Sequence, residues 1–268
     1  MKTIIAPIDF SDASHNALLF AAELSKRTAA RLIVVNVEEK GENGIEVNNK
    51  LEYATSHLHK LFGSDLICES VAMQGNLVGT LKGLIGLHQP DLIVMGTKGA
   101  SGLKRILIGS NTVKVLANVQ VPVLIIPEVA RFEKFLNPGK NRVVLATDLY
   151  ELNNDDALDV LKEIALLIEE TKIRVVSVRP KKKDLDFLKR MERNALVSRF
   201  TPEIPSEWIT VFSNSVLAGI NIYLSKKEDT GLIAMIARDS GHLIQKHYTR
   251  EMASHTEFPL LVMHDDKV

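Results

Sequence analysis

The chain has 268 residues, 46% of them hydrophobic, enough to bury two cores of ordinary size at roughly 100–200 residues per domain. Its 33 basic and 33 acidic residues cancel, so no global field is available to hold nucleic acid or an anionic membrane surface. The single cysteine, Cys68, cannot form an internal disulfide, no Cys/His cluster has zinc spacing, and no apolar run approaches the roughly 18–20 residues of a membrane span.

Lys2 is followed by only a short apolar stretch before Asp9, which is not the order of a signal peptide, and the chain reads as soluble and cytoplasmic. Short β-branched runs then alternate with longer segments of helical period, the pattern of a parallel sheet covered by helices. The first strand is Thr3 to Ile8. Ser14 to Thr28 follows as a helix with Ala17, Leu18, Ala21, Ala22, Leu24 and Ser25 on one face, Asp12 and Ser14 being its capping candidates. Leu32 to Val37 is the second strand, polar residues 41–48 a loop, and about Asn49 to Phe62 a helix. Leu66 to Met73 is the third strand, Leu77 to His88 a helix, and Asp91 to Met95 the fourth strand. A glycine-rich loop leads to a helix from about Asn111 to Asn118 and a fifth strand from Pro122 to Ile126.

Glu128 to Asn141 is a linker whose Pro138-Gly139-Lys140-Asn141 forms turns, and beyond it the pattern repeats. Arg142 to Thr147 matches the first strand, with Asp148 where Asp9 stood. A helix over Ala157 to Glu170 and strands at Arg174 to Val178, Trp208 to Phe212, Gly231 to Met235 and Phe258 to Val262 follow. Gly219 falls where Gly79 does. The division expected is therefore residues 1–130 and 141–268, two units resembling a dimer made covalent.

The segment that carries chemistry is Gly96-Thr97-Lys98-Gly99, nine intervening residues, then Gly109-Ser110, after a buried strand and running into a helix. A phosphate chain needs close approach of backbone N–H groups, which a Cβ obstructs, and a helix start aims free amides and a positive dipole end at an anion. Ser110 fits as both N-cap and hydroxyl donor. The spacing is neither a Walker A sequence nor the GxGxxG fingerprint. Lys98 and Arg105 either reach phosphates or stand as solvated loop charges. Asp9 taken alone is equally a turn residue or a cap.

With Ala6-Pro7-Ile8-Asp9 ending the first strand and Val121-Pro122-Val123 near the end of the unit, this segment resembles the universal stress protein family, whose ATP-binding members carry G-x2-G-x9-G-[ST]. Gly96, Gly99, Gly109 and Ser110 match it. The resemblance implies an α/β fold of two tandem Rossmann-like, adenine nucleotide alpha hydrolase-like domains, each a five-stranded parallel sheet flanked by helices. It also implies an adenine nucleotide, ATP with Mg²⁺ held through the phosphates, with AMP or another adenosine compound left open. Pro7 and Asp9 would lie beside adenosine, the backbone around Val37 at the adenine edge, Met95 and Gly96 beneath, and Gly99, Gly109, Ser110 and Asn111 around phosphates. Val113 stands where the family often has an acid, so it takes no polar role.

In the second half Ile236 and Asp239 replace Gly96 and Gly99, and Lys246-His247 stand at the Gly109-Ser110 position, so that unit is expected to be degenerate. His57 and His59 point to different helix faces, which argues against a metal site. His242, His247, His255 and His264 read as surface or interface residues, Cys68 as a small buried hydrophobe, Trp208 as packing and Lys181-Lys182-Lys183 as a solvated loop. No catalytic or metal-ligating set stands out, which leaves slow hydrolysis of a bound nucleotide without an evident base. The function expected is nucleotide-dependent interaction with an unidentified protein partner in stress response or signalling. The alternative is an interaction scaffold with a pseudo-dimeric surface and an empty loop, and a homodimer of the whole chain stays open in either case.

Overall fold

A computed structural model describes residues 1–38, 44–97, 109–135, 142–147, 152, 158–180, 186–226, 229–237 and 257–265, with only the backbone of Lys134. The chain divides into two compact units, Met1–Val129 and Ala130–Val268. Lys98, Gly99, Arg105, Asp148, Lys181, Lys182, Lys183, Asp239, His242, Lys246, His247 and His255 lie outside the described residues.

In the first unit, β1 (Thr3–Ile8), β2 (Arg31–Glu38), β3 (Cys68–Gln74), β4 (Leu92–Gly96) and β5 (Val123–Ile126) form a parallel sheet in the order β3-β2-β1-β4-β5. The four middle and terminal strands β1, β2, β4 and β5 are near-continuous apolar runs because helices cover both faces of such a sheet; Ile4, Ile5, Leu92 and Ile93 are fully buried. The edge strand β3 is only half-buried. Cys68 opens it, and burial, with Glu69 adding to it, pushes the thiol up to about 11.

Helix α1 (Asp12–Thr28) buries the predicted stripe, Ala17, Leu18, Ala21, Ala22, Leu24 and Ser25. Its cap is Ser11, not Asp12 or Ser14: the Ser11 hydroxyl accepts from the Ser14 amide, and Asp12 and Ser14 are already helical. Helix α2 (Gly44–Phe62) begins within the loop expected over residues 41–48. Buried Val47 and Leu51 continue the apolar period toward the amino end, and Glu46 meets Lys50 at 2.7 Å, an i,i+4 pair that favours helix. Helix α3 (Leu77–His88) is capped by Asn76, and α4 (Ser110–Asn118) completes the unit.

The second unit opens with one turn, α5 (Phe132–Phe135), inside the expected linker. The strands β6 (Arg142–Thr147), β7 (Ile173–Arg179), β8 (Ser206–Phe212), β9 (Thr230–Ala237) and β10 (Leu260–His264) are parallel in the order β8-β7-β6-β9-β10, the same order as in the first unit. Helix α6 spans only Asp159–Leu166, because the chain tightens into i→i+3 bonds from Leu167 to Ile164 and Ile168 to Ala165. Helix α7 (Phe187–Ser198) is an element the sequence reading did not find, capped by Asp186. Trp208 is the third residue of β8, not its first.

Helix α8 (Val216–Leu224) shows that Gly219 is not the counterpart of Gly79. Gly79 donates to its cap Asn76, whereas the residue that donates to the cap Ser215 is Ala218, so Gly219 lies one position later. A Cβ there would meet Val178 Cγ1 at 2.5 Å, so this glycine serves packing of α8 on β7. His264 ends β10 and is buried rather than on the surface.

Arg174 pins the amino-terminal end of this sheet. Its two terminal nitrogens reach both Asp229 oxygens at 2.7 and 2.9 Å, and its Nε reaches Glu207 at 2.8 Å, a fork that only a guanidinium supplies.

Candidate functional site

Strand order in the first unit reverses between β1 and β4, and parallel sheets hold ligands beyond the carboxyl ends of their strands at such a point. A cavity of about 230 Å³ lies there. Strand β1 brings Pro7, Ile8 and Asp9 to it, β2 brings Val37, β4 brings Met95, Gly96 and Thr97, and the start of α4 brings Gly109, Ser110 and Asn111. Every residue singled out for the site lines this one cavity except Gly99, which lies outside the described residues.

The turn from β1 into α1 is built by Asp9. Its Oδ1 accepts from the Ser11 amide at 3.1 Å and the Ser11 hydroxyl at 2.5 Å, so the turn and the cap are one unit. Burial works against the Asp9 charge, but the hydrogen bonds, led by those from Ser11, outweigh it and hold the carboxyl below the usual carboxylate range. Asp9 is thus a turn residue and a cavity residue at once.

Gly96 is glycine for a reason other than the one its sequence context implies. A Cβ would fall 2.6 Å from the carbonyl carbon of Ala13 and 3.1 Å from the Ser14 amide, so the missing side chain lets the first turn of α1 sit on the end of β4. Thr112 reinforces the same corner by donating its hydroxyl to the Gly96 carbonyl at 3.2 Å.

The amino end of α4 is arranged otherwise than expected. Gly109 is the N-cap, extended at φ −61° and ψ 144°, and Ser110 is the first helical residue, so the Ser110 hydroxyl does not cap. Gly109 has no side chain with which to cap this helix, and among the described residues no side chain accepts from its first-turn amides, those of Ser110 and Asn111 included, which leaves them open to an external acceptor. Thr97 adds a further donor: it is 1% exposed, lines the cavity, and among the described residues its Oγ1 has no hydrogen-bond partner. Buried hydroxyls without partners are uncommon and call for one.

Apolar Ile8, Val37, Leu77 and Met95 thus line the same cavity as the α4 amides and Thr97, an apolar surface beside donors suited to an anion. Among the described residues no group of three or more His, Cys, Asp or Glu side chains is placed to hold a metal ion, and no helix is long and apolar enough to cross a membrane. Sequence reasoning missed Ser11, Leu77, Thr97 and Thr112. The Asp9-Phe10-Ser11 spacing of a side-chain-closed turn could have found Ser11, whereas Thr97 is distinguished only by its burial.

The second unit presents Ile236, 3% exposed, within β9 where Gly96 ends β4. Ala237 there pairs with His264 and takes the place of Thr97, so both the small residue and the buried hydroxyl are missing from that strand end.

Comparison with known proteins gives consistent likenesses. The family model described as universal stress protein family matches residues 1–127. A universal stress protein of Thermus aquaticus is 30% identical over 135 residues, 47% of this chain and 98% of its own length. One of Methanocaldococcus jannaschii is 29% identical over 140 residues, 47% of this chain and 81% of its own length. Among solved structures, that of a universal stress protein from Archaeoglobus fulgidus is similar with a TM-score of 0.75 at 19% identity, covering 98% of each chain, so the likeness of fold runs through the second unit.

Proposed function

The chain belongs to the universal stress protein family, and from that premise we propose that its first unit binds an adenine nucleotide, ATP with Mg²⁺ carried on the phosphates. The observation that carries this reading is the meeting on one cavity of two donor sets that are unsatisfied among the described residues: the uncapped amides of α4 and the buried Thr97 hydroxyl. An anion there gains directional hydrogen bonds and the positive helix end. Occupancy alters the surface around the cavity mouth, which a protein partner in stress response or signalling reads. Residues 141–268 form, in the same proposal, a degenerate copy that binds no nucleotide, supported by Ile236 at the strand end.

Mass spectrometry of small molecules released from the purified chain tests the ligand directly, and an adenine nucleotide is the expected species. Mg-ATP at a hundred times its dissociation constant should stabilise the fold by about 2.7 kcal/mol. An unshifted thermal midpoint together with no copurifying nucleotide would sink the proposal and favour the empty-loop scaffold.

A further inference from the structure

A second and larger cavity, about 490 Å³, lies between α1 and α2 in the first unit. Buried Ile8, Ser14 and Leu18 make its floor. Its walls are rings, Phe10 from the turn before α1, His15 from the start of α1, and Tyr53 and His57 from α2. Tyr53 stacks on His57 at 6.3 Å with 7° between planes, and His57 lies 6.0 Å from His15. Phe10 stands at φ 60°, a left-handed backbone that costs a bulky residue roughly 1–2 kcal/mol, so the turn around Asp9 holds this ring at the wall against a local preference.

Charge at the rim is unequal. Lys50 is taken up by Glu46 at 2.7 Å and lies 5.7 Å from the centre of the Phe10 ring, so that pair is neutral. Asp12 also lines the cavity, and among the described residues its carboxylate has no ion-pair partner. The cavity therefore combines a ligand-sized apolar volume, aromatic faces that attract cations, and one carboxylate that, though it lies at the positive end of α1, has no ion-pair partner among the described residues. An aromatic anion would meet Asp12 as a like charge, and a purely aliphatic molecule would leave the ring faces and the carboxylate unused.

We propose that this cavity, which adjoins the nucleotide cleft and shares Ile8 and Ser14 with it, is a second small-molecule site that takes a planar aromatic amine. The ligand ring packs on Phe10, Leu18 and Tyr53, and its ammonium pairs with Asp12. Neither Asp12, Tyr53 nor Ala54 lines the nucleotide cleft, so substitutions at these positions report on this site alone.

The test uses the full chain with tryptamine, indole and indole-3-propionate as probes, measured by calorimetry and by saturation-transfer NMR. Tryptamine is expected to bind with a dissociation constant below about 1 mM, and indole-3-propionate at least about tenfold more weakly. Asp12→Asn, which keeps the Ser11 cap, should weaken tryptamine about tenfold and leave indole unchanged. Ala54→Phe, which fills the cavity, should remove binding of all three, with Ala54→Leu as a smaller filler if the first variant melts early. No binding of tryptamine to the unaltered chain, equal binding of amine and acid, or binding that survives the filler variants overturns the proposal.

Discussion

The Cβ that alanine would carry at position 96 falls 2.6 Å from the carbonyl carbon of Ala13 and closer still to its oxygen. Gly96→Ala therefore forces β4 and α1 apart at backbone rather than at a flexible side chain, and overpacking of this kind costs about 1–3 kcal/mol. A lower urea midpoint at unchanged slope is the expected result, before any ligand is added. An unchanged midpoint would show that the corner yields freely.

Thr97→Val separates stability from binding at the same corner. The substitution keeps the shape and removes a buried hydroxyl that has no partner among the described residues, so the unliganded chain should be as stable as before or slightly more so. Affinity for Mg-ATP should fall by about three- to tenfold, the worth of one hydrogen bond of ~0.5–1.5 kcal/mol. Calorimetric titration reads both the loss and its size, and unaltered affinity would remove Thr97 from the site.

The two units should differ in stoichiometry. Titration with Mg-ATP is expected to give about one nucleotide per chain, because Ile236 puts a branched side chain where phosphate would need bare backbone. Gly99→Asp should abolish it by adding a like charge to the glycine segment that the family resemblance assigns to phosphate, whereas changes at Asp239 should have no effect. A ratio near two would restore the second unit as a binding unit.

Asp229 makes stability depend on acid pH. Hydrogen bonds from Arg174, opposed by burial, hold its carboxyl below the ordinary value of 3.8 in the folded chain. A depressed folded value means that folding favours the charged form, so this stabilisation is complete above 3.8 and is lost as pH falls through the lower folded value. Asp229→Asn should cost about 1–2 kcal/mol at neutral pH, less than a fully buried pair because the Asp229 side chain is 33% exposed. Urea midpoints of the variant should also vary less with pH in the acid range, and an identical acid profile would place the stabilisation elsewhere.

The alternation of β-branched runs with helical segments determined the α/β class, and both the repeat and the paired strand ends at Asp9 and Met95 were legible from residues 1–130. Local chemistry is enough for those features, because a parallel strand buried on both faces must be apolar and a helix on it must carry a stripe. Helix α7 was not legible: only Leu196 among its residues is buried, so Phe187, Leu188 and Met191 lie exposed and give no clean apolar face to read. His264 was misplaced for the converse reason, since a polar residue ending a strand reads as exposed until the chain around it is folded.

At the site, glycine spacing after a buried strand pointed to Gly96, Gly109 and Ser110, and the family resemblance it carries to Pro7, Asp9, Val37, Met95 and Asn111, all of which line one cavity, while Ser11, Leu77, Thr97 and Thr112 were missed. Only the tertiary structure decided why each is there. Gly96 is small because Ala13, fixed by a different part of the chain, packs against it; Thr97 matters because folding buries its hydroxyl without a partner among the described residues; Gly109 rather than Ser110 is the cap of α4. Close approach and burial are relations between distant segments, and spacing along one segment carries no measure of either.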